Sequence, residues 1–277
     1  MSVFDQFTEH RDLLVNLSLR EIRGQYRRTA LGRLWSLLNP IATLLIYSLV
    51  FGVFLGVDPG PGEPSGLNVF ALWLMCALVP WNFFNAAVQR GAGSLVENAN
   101  LVKKVYFPRE LLVTAVVASG ATTFAIEMVV LVVALLLFGG TPLLWVPAAV
   151  VVMLLLVAFA LGLAWLLSVS TVYFRDTSHL LQLVMMFWFY ATPIVYPLSL
   201  VATFSAEHTP QWLPVSLLQL YELNPMTRFV EVLRVLLYDN TWPPADDVAY
   251  CAGVAAVAFF GGYAVLARFR RRLAEEL

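Results

Sequence analysis

Charge is scarce in this 277-residue chain: Asp, Glu, Lys and Arg make up 13% of it, against 60% hydrophobic residues. Soluble domains carry about twice that charged share, and disordered segments need far more polarity, so both classes are excluded. Cysteine is nearly absent: Cys76 and Cys251 sit far apart in apolar runs, which excludes a disulfide framework and a thiolate metal cluster. His10, His179 and His208 are scattered and match no zinc spacing, so no metal is expected. No G-x-x-x-x-G-K-[ST] loop occurs, nor H-E-x-x-H, nor paired carboxylates inside an apolar run. The chain therefore holds no ATP site of its own and no catalytic cluster, and no bound cofactor is expected. The first thirty residues carry too much charge for a secretory signal.

What remains is long charge-free runs. Arg33 and Asp58 enclose 24 uncharged residues, and Glu63 and Arg90 enclose 26. Either run exceeds the ~20 residues that cross a hydrocarbon core of about 30 Å. Between Leu111 and Phe174 the one charge is Glu127, so this stretch holds two spans, broken at Gly139-Gly140-Thr141-Pro142. A fifth span begins near Ser178 and weakens at Pro193 and Pro197; a sixth lies in the 20 uncharged residues between Asp247 and Arg268. Gln211–Tyr221 and Met226–Tyr238 are too short to cross and read as re-entrant or interfacial helices. The expectation is an all-α integral membrane protein with six spans. Residues 1–33 form an amphipathic interface segment, 34–267 the membrane domain with outer helices at about 211–238, and 268–277 a basic tail.

Basic residues orient this plan. Of the 17 lysines and arginines, 15 precede the first span, lie between spans two and three or four and five, or follow span six. By the positive-inside rule that side is cytoplasmic, with both termini on it.

Several residues stand out on this frame. Val15, Leu19, Ile22 and Tyr26 form an apolar helical stripe flanked by Arg20, Arg23 and Arg27. Such a helix lies in the membrane interface, where Arg20, Arg23, Arg27, Arg28 and Arg33 meet lipid or a lipid-linked phosphate, or else only set orientation. Glu127 is the one ionisable side chain expected deep in a span, where it either serves a pathway or bonds between helices. Tyr47, Phe51 and Phe54 follow one face of the first span, and Phe187-Trp188-Phe189-Tyr190 rings the fifth. Aromatic faces suit sugars and also lipid and helix contacts. Gly52 and Gly56 have the spacing of a close helix crossing. Residues 94–107 read as a short cytoplasmic helix, fit for a groove on a partner or for the membrane surface. In the second outer segment, Arg228, Glu231 and Arg234 are expected opposite Phe229, Leu233, Leu236 and Leu237.

The run LREIRGQYRRTALGRLWSLLNP, the six spans and ENANLVKKVYFPRE resemble the permease subunit of ABC-2 type polysaccharide exporters. That group includes O-antigen, teichoic acid and actinobacterial galactan exporters. The YFRD stretch at Tyr173–Asp176 and LNPMTRFVEVLR at Leu223–Arg234 extend the resemblance over nearly the whole chain. It implies a homodimer in the bacterial plasma membrane, served by two copies of a separate ABC ATPase that binds ATP and Mg. Glu97, Asn98, Asn100, Leu101, Lys103 and Lys104 would then belong to the coupling helix that receives the ATPase. Arg20, Arg23, Arg27 and Arg28 would lie where a polyprenyl-pyrophosphate-linked glycan enters, since guanidinium forks suit phosphate. Tyr47, Phe51 and Tyr190 would line the polymer's route, and the outer half-helices would gate it. A preference for arginine over lysine, with abundant Ala, Val and Leu, points to a GC-rich genome, and among the exporters resembled this makes an actinobacterial cell-wall galactan one candidate cargo. A drug or small-lipid exporter, a membrane-embedded glycosyl- or acyltransferase and a structural anchor are the alternatives. Nucleic acid is not an expected partner.

Overall fold

The computed structural model describes residues 10–25, 38, 41–42, 45–58, 60–104, 107–208, 216–270 and 272–276. Among them all regular structure is helical. Helix α1 (Arg11–Gln25) precedes α2 (Leu45–Phe54), which is π-wound from Ser48. Then come α3 (Phe70–Glu97), α4 (Ala99–Lys104), α5 (Glu110–Leu137), α6 (Val146–Tyr173) and α7 (Thr177–Tyr190). Helices α8 (Leu198–His208), α9 (Leu217–Leu223) and α10 (Pro225–Arg234) follow, the last two in the segment expected to be outer, and then α11 (Ala245–Phe269) and α12 (Leu273–Glu276).

Four of these are long and apolar enough to cross a membrane: α3, α5 and α6 with 28 residues each, and α11 with 25. They coincide with expected spans two, three, four and six. Of the expected first span, the inner part lies outside the described residues, and α2 ends at Phe54. The fifth span differs from expectation. Its helix α7 has 14 residues, about 21 Å at 1.5 Å per residue, and the chain then breaks over 191–197 before α8. Proline at 193 and 197 removes two backbone donors there.

Helix α6 is the axis, packed against α3 on one side and α11 on the other. Small residues set the distances. A Cβ on Gly91 would lie 2.5 Å from that of Ala164. One on Gly162 would lie 2.2 Å from the Ala258 carbonyl, and one on Gly262 would lie 2.0 Å from the Gly162 oxygen. Backbones touch directly at this α6–α11 crossing, which is how helices gain packing energy where lipid supplies no hydrophobic drive. The Gly52/Gly56 spacing is used otherwise: Gly52 faces the Phe70 ring, and Gly56, with φ +61°, ends α2. Ring stacks tie the layers, with Phe84 on Phe159 at 5.4 Å and Phe159 on Phe229 at 5.8 Å, joining α3, α6 and α10.

The turn between α5 and α6 falls where the Gly-Gly-Thr-Pro run places it. Gly139 is left-handed (φ +92°); its N–H donates to Leu136 O and that of Gly140 to Leu135 O. This double bond satisfies carbonyls the helix end would orphan. Asn240 then accepts from the Thr141 N–H and hydroxyl, while its amide donates to Leu237 O and Tyr238 O. The Tyr238 hydroxyl accepts from Val69 N–H and donates to Leu67 O. The π-helical turn Val235–Asp239 that continues α10, with Asn240 after it, is thereby bonded to the chain just before α3 and just after α5.

The α6–α11 crossing yields a direct test. Gly262→Ala places a methyl inside the Gly162 backbone and is expected to cost ~1–3 kcal/mol, read as a lower melting temperature of the purified chain. Gly261→Ala, with open space around its Cβ, is the control and is expected to melt like the unmodified chain.

Candidate functional site

On the face that carries most of the basic residues, α1 packs along α5. The residues it buries are Leu17, with Leu13 and Leu14 partly covered, whereas Val15 and Leu19 stay exposed. The helix thus has two apolar flanks, one for the protein and one left outward. Arg20 does not stand free at a phosphate position: its Nη2 donates to Asn98 Oδ1 at 2.6 Å and lies 3.3 Å from Glu21. Glu21 also pairs with Arg90 of α3 at 3.5 Å. Arg23 is exposed and has no side-chain partner among the described residues. Arg27, Arg28 and Arg33 lie outside the described residues.

Asn98 is the joint between α3 and α4. Its N–H donates to Ser94 O, closing α3, and its carbonyl accepts from Leu101 and Val102 N–H, opening α4. Glu97, Asn100 and Lys103 are exposed and Leu101 is half-buried; the side chain of Lys104 lies outside the described ones. Helix α12 packs on both α4 and α6 through the fully buried Leu273. Arg270 reaches the buried Glu110 at 3.8 Å, linking α11 to the start of α5. The expected lipid-facing and partner-facing residues are therefore one connected unit, joined through Arg20 and Asn98. That contact spans 78 residues of sequence and left no local signal.

A second group is aromatic. Tyr47 stacks on Phe189 at 6.1 Å and meets Phe51 edge-on at 6.0 Å. Phe189 reaches Trp81 of α3 at 5.7 Å, and Trp188 is edge-on to Phe84 at 5.2 Å. Of the four consecutive rings of α7, Trp188 and Phe189 turn into the protein, while Phe187 and Tyr190 are exposed. Phe54 is exposed too, away from the Tyr47–Phe51 pair. Glu127 is half-buried on α5, with no hydrogen bond or ion pair among the described residues.

The outer group is the most tightly bonded. Arg234 is 2% exposed and pairs with Glu231, but it does not share one face with Arg228 as expected. Three-residue helical steps lag by about 60° each, so Arg234 points some 120° from Arg228. Its guanidinium lies 3.6 Å over the Trp73 ring. Nη1 donates to Pro193 O at 2.6 Å and Glu231 Oε1 at 2.8 Å, and Nη2 donates to Ile194 O at 2.6 Å. Arg228 is held by Asp247 and, at 3.8 Å, by Glu222. Asn224 completes the set. Its Oδ1 accepts from Trp188 Nε1 and caps α10 through Met226 N–H, and its amide donates to Ala191 O and Thr192 Oγ1. Sequence reasoning took Asn224-Pro225 only as the break between the two short segments, although Asn before Pro is also a helix-start signal. Burial, and then the neighbouring Glu231 charge, push the Asp239 carboxyl up to about 6 despite Arg234.

Two comparisons with known proteins bear on this arrangement. The ABC-2 type transporter family matches residues 13–238. The chain is 29% identical over 269 residues to the O-antigen export system permease protein RfbA of Myxococcus xanthus, covering 97% of this chain and 96% of that one. It is also 29% identical over 186 residues to a Klebsiella pneumoniae protein of the same name, covering 67% of this chain and 69% of the relative. The match runs through α1, the three long helices α3, α5 and α6 and the Arg234 cluster, so the chain belongs to the ABC-2 type transporter family, as a membrane-spanning transport subunit.

Proposed function

We propose that this chain is the transmembrane half of an ATP-driven exporter that moves a polyprenyl-pyrophosphate-linked polysaccharide outward across a bacterial plasma membrane. A cell-wall galactan is one such polymer. The observation that carries the reading is the end-to-end similarity to an O-antigen export permease. In this reading two copies of the chain pair, each crosses the membrane six times, and both termini are cytoplasmic. Two copies of a separate ABC ATPase bind ATP and Mg and dock on α4. The exposed Glu97, Asn100 and Lys103 suit that docking, and the Arg20–Asn98 bond would carry its motion to α1. Arg23, exposed beside Val15 and Leu19, suits the pyrophosphate of a lipid carrier lying in the interface, together with Arg27, Arg28 and Arg33. Tyr47, Phe51, Phe54 and Tyr190 supply ring faces to the polymer, and the α9–α10 pair with Arg228, Glu231 and Arg234 acts as the outer gate.

Purification from native membranes in mild detergent tests this. A stoichiometric subunit with a phosphate-binding loop is expected, and its absence even after cross-linking removes the energy source. Replacing Arg23, Arg27 and Arg28 with Gln is expected to lower surface glycan at least tenfold with the complex still assembled; unchanged glycan sinks the phosphate role.

The gate makes two further predictions. Arg234→Met leaves two buried carbonyls and Glu231 without their donor, and is expected to cost about 3 kcal/mol in a denaturation midpoint. The raised Asp239 means that the folded form holds its proton more tightly than the unfolded chain, whose carboxyl titrates at 3.8. Its contribution to stability is therefore full below pH ~4 and is lost as pH rises through about 6. Asp239→Asn should remove that slope, seen as a difference between the two proteins' melting temperatures that grows from pH 4 to 7.

A further inference from the structure

Helix α3 is enclosed over most of its length, yet one side of its inner half stays open, and that side is polar. Asn82, Asn85 and Gln89 are half-buried and Ala86 is exposed. Steps of three and four keep them on one helical stripe. Gln89 Nε2 donates to Asn85 Oδ1 at 2.6 Å. Among the described residues, no further hydrogen bond reaches these side chains, so the Asn82 amide, the Asn85 Nδ2 and the Gln89 Oε1 are unpartnered. At 1.5 Å per residue, the three lie roughly 22, 18 and 12 Å from Glu97, from the middle of the membrane to its inner third. An amide turned toward hydrocarbon with nothing to bond is strongly unfavourable, so this stripe calls for water, a polar solute or another polar surface.

Both ends of the stripe meet groups already described. Arg90, next to Gln89, pairs with Glu21 of the basic helix α1. Trp81, one turn beyond Asn85, belongs to the ring cluster with Phe189 and Tyr47. We infer that Asn82, Asn85 and Gln89 form the inner stretch of the export path and hydrogen-bond the hydroxyls of an uncharged glycan; this rests on the polysaccharide reading above. Each amide is both donor and acceptor and carries no charge, and so is each hydroxyl. One sugar hydroxyl therefore replaces the next at nearly equal energy, and the chain slides. A carrier pyrophosphate held at α1 would feed its sugars straight onto this stripe. The rival occupant is a second copy of this chain, whose amides would bond these across two helices.

The test uses the complex with its ATPase. Asn82, Asn85 and Gln89 are changed together to Leu, which suits a lipid-surrounded helix and removes only the polar groups. Assembly is expected to persist while surface glycan falls at least tenfold, the longest chains most. Normal export by the assembled variant overturns the inference, and so does dissociation of the two copies, which would assign the amides to the protomer interface. If deleting the whole chain leaves surface glycan unchanged, the polysaccharide reading falls first and takes the inference with it. An independent readout is Asn82→Cys in a chain carrying Cys76→Ala and Cys251→Ala. Modification of the intact complex by a membrane-impermeant thiosulfonate from the inner side is expected, and a thiol that stays unmodified overturns a hydrated path.

Discussion

A chain in hydrocarbon must satisfy every backbone donor and acceptor internally, and this constraint governs the outer half of the protein. Helix α7 stops at Tyr190, short of a full crossing, and the proline-interrupted segment behind it has carbonyls that no helix serves. Asn224 and Arg234 supply the missing donors, one to Ala191 O and Thr192 Oγ1 and the other to Pro193 O and Ile194 O. A buried guanidinium needs its own compensation, and Trp73 and Glu231 give it. Helix α10 is therefore part of the core rather than a flap lying on it. Remove the break in α7 and the cluster has no purpose; remove the cluster and the break is untenable.

The inner half is organised by contact distance. Gly91, Gly162 and Gly262 let α3 and α11 come against α6 until backbones touch. Nothing polar is needed there. The charged groups collect instead where the helices end, as Arg20 with Asn98, Arg90 with Glu21 and Arg270 with Glu110. Each of these joins two elements that are distant in sequence, so the inner ends behave as one platform.

Much of this was readable in advance, for stated reasons. Lipid excludes charge, so the gaps between charged residues located α3, α5, α6 and α11. The Gly139-Gly140 turn was legible because a left-handed residue must follow a helix stopped that sharply. Hydropathy could not divide the fifth span, since an apolar run looks alike whether its backbone is continuous or broken; Pro193 and Pro197 were the sole cue. Arg234 was misplaced because two three-residue steps carry it some 120° round the helix from Arg228, to a side covered by Trp73, a partner 161 positions away that no local pattern reveals. Asn82, Asn85 and Gln89 escaped notice for a related reason: uncharged amides do not interrupt a hydropathy window. Their meaning emerges only when the rest of α3 is seen to be covered.

Asn98 has one more consequence. It ends one rod and begins the next, with φ −106° and ψ 24°, so α3 and α4 share a single-residue pivot. The Arg20 side chain reaches that same residue from α1. Three helices thus meet at one asparagine: its peptide closes α3 and opens α4, and its amide oxygen receives α1. The junction is a keystone, a small piece whose position fixes the angle of every member that rests on it.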